Sequence, residues 1–119
     1  MLAETPEGFE VFAGDDELTL PLMDLGATGV ISAVSHIAGA RFKEMIEAQA
    51  KGDHTRALRL HIELLPLMKA LFMTANPIMI KKALALQGFP VGGVRLPLVE
   101  ASAEQTSELE RVMRHVGVL

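Results

Sequence analysis

Residues 9–34 read FEVFAGDDELTLPLMDLGATGVISAV, and their pattern decides the fold class. Phe9-Glu-Val-Phe-Ala13 is a short apolar run closed by Gly14-Asp15-Asp16, as a strand entering a turn reads. Glu17 to Leu25 places Leu18, Leu20, Leu22, Met23 and Leu25 on a short helix with an acidic start, and Gly26 closes it. Asp16 is a candidate N-cap for that helix, but Pro21 would then fall about one turn in, where its missing N–H begins to cost. Gly29-Val-Ile-Ser-Ala-Val34 is a second apolar run with almost no polar alternation, the pattern of a strand covered on both faces. Strand, helix and strand make a β-α-β unit, which predicts parallel strands joined by a right-handed crossover. The fold class is α/β.

Beyond Ser35 the periodicity is helical. Ala38 to Lys51 carries Phe42, Met45, Ile46 and Gln49 on one stripe and stops at Gly52. Asp53 can cap a long helix from His54 to about Met73. Its main stripe is Ala57, Leu58, Leu64, Leu65, Met68, Leu71 and Phe72; Leu60, Ile62 and Leu67 form a second, so burial on more than one side is expected. Pro66 lies inside that pattern and should kink the helix rather than end it. Asn76-Pro77 reads as an N-cap followed by proline at the first helical position, with Gly88 closing the helix from Ile78 to Gln87. Residues 89–99 form an apolar loop with much to bury. Ser102-x-x-Gln105 is a capping box for a last helix whose face is Leu109, Val112, Met113 and Val116; Glu110 and Arg114 pair along it, and Gly117 ends it. The expected division is therefore residues 1–51, two βα units, and residues 52–119, a helical region. Two parallel strands alone make a marginal sheet, so the exposed edges and apolar faces predict self-association or a missing partner segment.

Composition removes several function classes. Half of the 119 residues are apolar, which is not the composition of a disordered tail. A net charge of −4 with scattered basic residues gives no footprint for nucleic acid or an anionic membrane. There is no Cys, hence no disulfide, thiolate metal site or cysteine nucleophile, which fits a reducing cytosol. The start, Met1-Leu-Ala-Glu-Thr-Pro-Glu7, has no apolar core of a signal peptide, and the most apolar stretch, Leu64 to Ile80, is interrupted by Pro66, Lys69, Asn76 and Pro77. The expectation is a soluble, cytoplasmic chain.

Each chemical candidate has a structural explanation beside it. Gly14-Asp15-Asp16 offers paired carboxylates for a divalent ion, but a strand-to-helix turn needs the same residues. His36, His54, His61 and His115 lack zinc-protease spacing; His54 and His115 fall near helix ends, and His61 on a polar helix edge. Ser32 and Ser35 beside His36 lack the Gly-x-Ser-x-Gly elbow of a serine nucleophile. The glycines form neither a dinucleotide fingerprint nor a P-loop. Lys81 and Lys82 sit on an amphipathic helix, from which both can snorkel to solvent. Pattern alone yields no active site and no metal or cofactor site.

Several phrases together resemble one family. Phe12-Ala-Gly-Asp-Asp16 followed by Leu18-Thr-Leu-Pro-Leu22 is similar to the seventh strand and following helix of dihydrodipicolinate synthases, and Gly29-Val-Ile-Ser32 to their eighth strand. Leu71-Phe-Met-Thr-Ala-Asn-Pro-Ile78, Lys81-Lys-Ala-Leu84 and Gly92-Gly-Val-Arg-Leu-Pro-Leu98 resemble their C-terminal helical region. The resemblance runs in order over essentially the whole chain, and the sister lyases for sialic acid and keto-deoxy sugar acids resemble it less. It implies the C-terminal fragment of a (β/α)8 TIM barrel: the last two strands, their helices and the helical region behind them. It also implies a cytoplasmic lyase, a homo-oligomer built as a dimer of dimers. The enzyme needs no cofactor and condenses pyruvate with aspartate semialdehyde in lysine (diaminopimelate) biosynthesis.

In that family a lysine on the sixth strand forms a Schiff base with pyruvate, and a tyrosine on the fifth relays protons with a threonine and a partner-subunit tyrosine. Those segments have no counterpart here. The chain has no Tyr and no Lys in a strand-like segment, so no catalytic residue is expected in it. One substrate-binding residue of the family maps onto the resemblance: Ile31, whose main chain would contact the pyruvate adduct. Its other reading is core packing. Gly14, ending the preceding strand at the same face, is a secondary candidate for shaping the pocket by close backbone approach. Two hypotheses follow. The chain is part of a truncated or split lyase, complementing an N-terminal barrel fragment, or it is a non-catalytic helical module for binding or assembly.

Overall fold

The computed structural model describes residues 2–119; Met1, at the head of the acidic start, lies outside them. A short 3-10 helix, Leu2–Glu4, leads to strand β1 (Phe12–Ala13), helix α1 (Thr19–Asp24) and strand β2 (Gly29–Val30). Four helices follow: α2 (Ser35–Ala50), α3 (His54–Leu71), α4 (Ile78–Leu86) and α5 (Ala103–Val116). The strands are parallel, with Phe12 opposite Gly29 and Ala13 opposite Val30. Amide bonds from Thr28 to the Val11 carbonyl (2.8 Å) and from Ile31 to the Ala13 carbonyl (2.9 Å) extend the pairing at both ends. Both strands are shorter than the runs 9–13 and 29–34 that the sequence suggested. Among the described residues each has one neighbour, so the outer edges have no strand to pair with, and the chain leaves the sheet where pairing stops.

Helix α1 begins two residues later than the pattern indicated, and Pro21 explains the shift. Starting at Thr19 puts Pro21 third in the helix, inside the first turn, where no intrahelical partner awaits its N–H. Asp16 is consequently not the cap; Leu18 holds that position without a side-chain bond. Helix α2 starts at Ser35, ahead of the expected Ala38, and Ala38 itself leaves helical geometry (φ −130°, ψ 35°). The expected start thus coincides with a break joining a short turn to the main helix.

Helix α3 runs unbroken through Pro66 to Leu71. The Asp53 carboxylate accepts the Arg56 amide at 3.1 Å and caps it, as its position suggested. Ala57, Leu60, Leu64, Leu67, Met68, Ala70 and Leu71 are buried, whereas Leu58 and Ile62 are exposed, so the second stripe is only partly covered. Pro77, not the first residue inside α4, occupies its N-cap, because the Ala75 carbonyl takes the Ile78 amide at 3.0 Å and closes a turn ahead of the helix. Gly88 (φ +86°) follows α4 in the left-handed conformation that glycine adopts without strain. In α5 both halves of the Ser102–Gln105 capping box are formed, and Leu109, Val112, Met113 and Val116 are all buried.

One apolar cluster joins the helices and crosses from residues 1–51 into 52–119. At its centre Phe42, Met45, Leu64, Leu67, Met68, Leu71, Met79, Leu109 and Met113 are fully buried. The short axis of the molecule is 20 Å. That is about two helix diameters, so the core is a single interface between helix layers. Arg41 ties three helices together: its guanidinium donates to the Val116 carbonyl at 2.6 Å and to Glu63 at 2.8 Å. The loop 89–99 departs from expectation. Phe89, Leu96 and Val99 are exposed, and only Val94 and Leu98 pack on the cluster, with Lys81 donating to the Gly93 carbonyl to hold the loop in place.

Candidate functional site at the strand ends

Because the two strands are parallel and in register, the residues that leave them, Gly14 and Ile31, come out at the same end of the sheet. The backbone there is almost fully committed to internal bonds. Ala13 carbonyl takes the Ile31 amide, Asp15 carbonyl the Thr19 hydroxyl (3.3 Å), and Asp16 carbonyl the Thr19 amide (3.4 Å). On the other strand, the Ser32 carbonyl accepts the Ser35 hydroxyl (2.9 Å), while Ala33 and Val34 carbonyls take amides of the first turn of α2. Among the described residues the Gly14 and Ile31 carbonyls accept no hydrogen bond. Two acceptors are therefore free for a ligand at one rim.

The Ile31 side chain is 79% exposed, which removes core packing as its role in this chain. Its amide is spent on strand pairing, so only its carbonyl can serve a ligand. Gly14 has no atom within 4 Å of the place a Cβ would occupy, and its φ is not positive. Any close approach that requires glycine there must come from outside these residues.

Asp16 is the residue whose place the sequence did not disclose. It is 3% exposed, and its Oδ2 accepts the amides of Ala33 (3.1 Å) and Val34 (3.2 Å), linking the turn after β1 to the start of α2. Its Oδ1 is buried with no partner. Asp15 makes a local turn by accepting the Glu17 amide at 2.8 Å. The two carboxylates thus serve the backbone, and among the described residues no group of three or more His, Cys, Asp or Glu could hold a metal ion. The Ser32, Ser35 and His36 neighbours do not form a nucleophile and base. Ser32 Oγ accepts the Ser35 amide, Ser35 Oγ donates to the Ser32 carbonyl, and among the described residues neither hydroxyl bonds the His36 imidazole. The five lysines lie in helices α2, α3 and α4 or, for Lys51, at the end of α2, and none is on a strand.

A second concavity, about 500 Å3, opens between α1, the end of α2 and the start of α3, with Leu20, Pro21 and Leu58 as apolar walls and Asp24, Gln49, His54 and His61 as polar ones. Gln49 donates to Asp24 and faces His54 Nδ1 at 3.1 Å. His61, on its polar helix edge, is half-buried: Nδ1 is buried without a partner, and burial pushes its pKa below the ordinary value despite the opposing charge of Glu17. None of these residues lies at the strand ends. Among the described residues no helix is long and apolar enough to cross a membrane.

Comparison with known proteins places this geometry. The family model described as the dihydrodipicolinate synthetase family matches residues 1–116. A 4-hydroxy-tetrahydrodipicolinate synthase of Desulforamulus reducens is 49% identical over 96% of this chain and 38% of its own length. A solved dihydrodipicolinate synthase from Cyanidioschyzon merolae, with lysine bound, superposes with a TM-score of 0.95 at 42% identity, over 99% of this chain and 40% of that one. The enzyme from Acinetobacter baumannii, complexed with pyruvate, gives 0.88 at 32% identity, over 93% and 38%. The chain thus spans about 40% of the length of the relatives it matches, and its architecture is a partial, mostly helical piece of their TIM barrel. With nearly every residue matched and the strand and helix order preserved, the chain belongs to the dihydrodipicolinate synthetase family.

Proposed function

We propose that this chain supplies the rim of a pyruvate-dependent lyase site, contributing main-chain acceptors rather than catalytic side chains. The observation that carries the reading is the pair of unused carbonyls, Gly14 and Ile31, at the common end of two parallel strands. Barrel enzymes gather their ligands at the C-terminal ends of their strands, where backbone groups can face them. The pyruvate complex of the relative from Acinetobacter baumannii supports pyruvate as the ligand. The reaction of the intact assembly is condensation of pyruvate with aspartate semialdehyde through a Schiff base, on the route to lysine, in the cytoplasm. Residues 1–51 provide the sheet edge and the rim, and residues 52–119 the helical cover.

Schiff-base formation requires an amine held against the keto carbon and a proton relay beside it. This chain has no Tyr, and its lysines are all helical or at a helix end; Lys43, which shares a concavity with Val30 and Ser32, is exposed and paired with Glu47 at 3.6 Å, so it stays hydrated. Alone, it is therefore inactive. The activity belongs to an assembly with a segment carrying the preceding βα units, and the exposed Phe9, Phe12, Leu18, Leu25 and Ile31 offer that segment an apolar surface. Until it binds, the same surface drives homo-oligomerisation.

Trapping tests this directly. Incubation with pyruvate and borohydride, read by mass spectrometry, leaves the chain unmodified; adding a barrel fragment with the six preceding βα units yields a reduced adduct on that fragment. A stoichiometric adduct on one lysine of this chain alone would overturn the proposal. Association with the fragment without any adduct would instead favour a module for binding or assembly.

A further inference from the structure

We propose that Asp16 is the positioning residue of this rim: it aims the Ile31 carbonyl by holding the turn that follows it. The inference rests on the strand-end reading above and names what keeps that acceptor in place. Ile31 is 79% exposed, so within this chain packing does not orient the residue. Hydrogen bonds must do it. Its amide is fixed on the N-terminal side by the Ala13 carbonyl at 2.9 Å. On the C-terminal side, among the described residues, the only hydrogen bonds from another segment come to Asp16 Oδ2, which takes the amides of Ala33 and Val34 together. The Ile31–Ser32 peptide is suspended between these two points, one from β1 and one from the turn after it.

A carboxylate suits this place. Ala33 and Val34 lead into α2, where unpaired amides and the helix dipole both favour negative charge. Asp16 is buried at 3% exposure, and Oδ1 has no partner, so the side chain is held by the two amides alone. Removing Oδ2 frees both amides and the turn, while Ala13 still holds Ile31 at its other end. The defect is thus local and directed at the carbonyl that faces a ligand.

Nuclear magnetic resonance on the isotope-labelled chain reads the clamp. In Asp16→Ala, amide exchange at Ala33 and Val34 accelerates at least about tenfold, the loss of one ordinary hydrogen bond. The Ile31 carbonyl resonance also moves, and α3 and α5 keep their protection. Asp16→Asn, which retains an oxygen at the Oδ2 position, restores both signals. With the complementing barrel fragment, borohydride-trapped adduct forms about tenfold more slowly for Asp16→Ala and near the native rate for Asp16→Asn. Unchanged exchange at Ala33 and Val34 overturns the assignment, as does native-rate trapping by Asp16→Ala, failure of Asp16→Asn to rescue, or protection lost evenly across α2 to α5. No adduct when the unsubstituted chain is combined with the barrel fragment overturns the pyruvate reading instead, and the exchange and carbonyl signals still decide the role of Asp16.

Discussion

The strand-helix-strand unit, residues 9–34, and the four helices that follow treat apolar side chains differently. In the first, Phe9, Phe12, Leu18, Leu25 and Ile31 are exposed, and Ala13, Leu20, Ala27 and Val34 are its buried apolar residues. Within α2 to α5, Leu58 and Ile62 are the only large apolar side chains left exposed. The contrast follows from where each kind of element finds its hydrogen bonds. A helix closes its own ladder and needs only a partner for one face, which α2, α3, α4 and α5 provide for one another. A strand needs a neighbour on each edge and a layer on each face, and two strands with two-residue pairing have neither. The helical part can therefore hold its shape alone, while the unit with the two unused carbonyls depends on what covers it.

Core truncation gives the largest expected effect and tests this contrast most severely. Leu64 is fully buried at the centre of α3, and Leu64→Ala should cost ~2–5 kcal/mol through lost transfer energy and a residual cavity. Ile31→Ala, which removes an exposed side chain from the rim, should stay within ~0.5 kcal/mol of the parent chain. Denaturant titrations followed by circular dichroism measure both. Comparable losses would mean that the sheet edge is integral to the fold and the division is wrong.

A smaller effect comes from the helix ends. Ser102 accepts the Gln105 amide at 3.2 Å while the Gln105 side chain takes the Ser102 amide at 2.9 Å, so α5 starts from a satisfied terminus. Ser102→Ala should lower stability by ~1 kcal/mol, seen as a lower denaturation midpoint with an unchanged denaturant dependence. An altered denaturant dependence would show that α5 frays from the core rather than losing one cap.

How much of this was legible in the sequence depends on the range of the interaction concerned. The Ser102 capping box, the Asp53 cap, the left-handed Gly117 and the buried face of α5 are all set within four residues or one helical face, and periodicity reads them directly. Pro21 sets the start of α1 at Thr19, while Asp16, which looks like a local cap, carries a carboxylate that serves amides 17 and 18 residues away. No local pattern records such a bond. The same limit applied to the site: the shared end of two parallel strands follows from β-α-β order, but which carbonyls remain free follows only from an account of every bond around them. The exposed loop at Phe89, Leu96 and Val99 escaped for a third reason, since apolar composition gives a demand for burial and not the identity of the cover.

The smallest expected effect concerns His61, on the boundary between the two regions. Its imidazole Nδ1 is buried without a partner, and burial holds its pKa below the ordinary value of ~6.5 against the weaker opposing pull of Glu17. In the unfolded chain the same group titrates at its ordinary value. Between the ordinary value and the depressed folded one, the unfolded state therefore binds more protons, and stability rises with pH across that window. The contribution is intact above ~6.5 and is lost as pH falls toward the folded value, because protonation then favours unfolding. His61→Leu removes the titrating group and leaves an apolar side chain beside Leu58 and Leu20, which share its cleft. The stability difference between pH 7.5 and 5.5, chosen as about one unit either side of the free imidazole value, should shrink in His61→Leu relative to the parent chain. Equal slopes would show that His61 is hydrated in solution and that the cleft between α1 and α3 is open to water. A steeper slope in the variant would mean that a partner charge raises the folded value, which would reverse the sign of the argument.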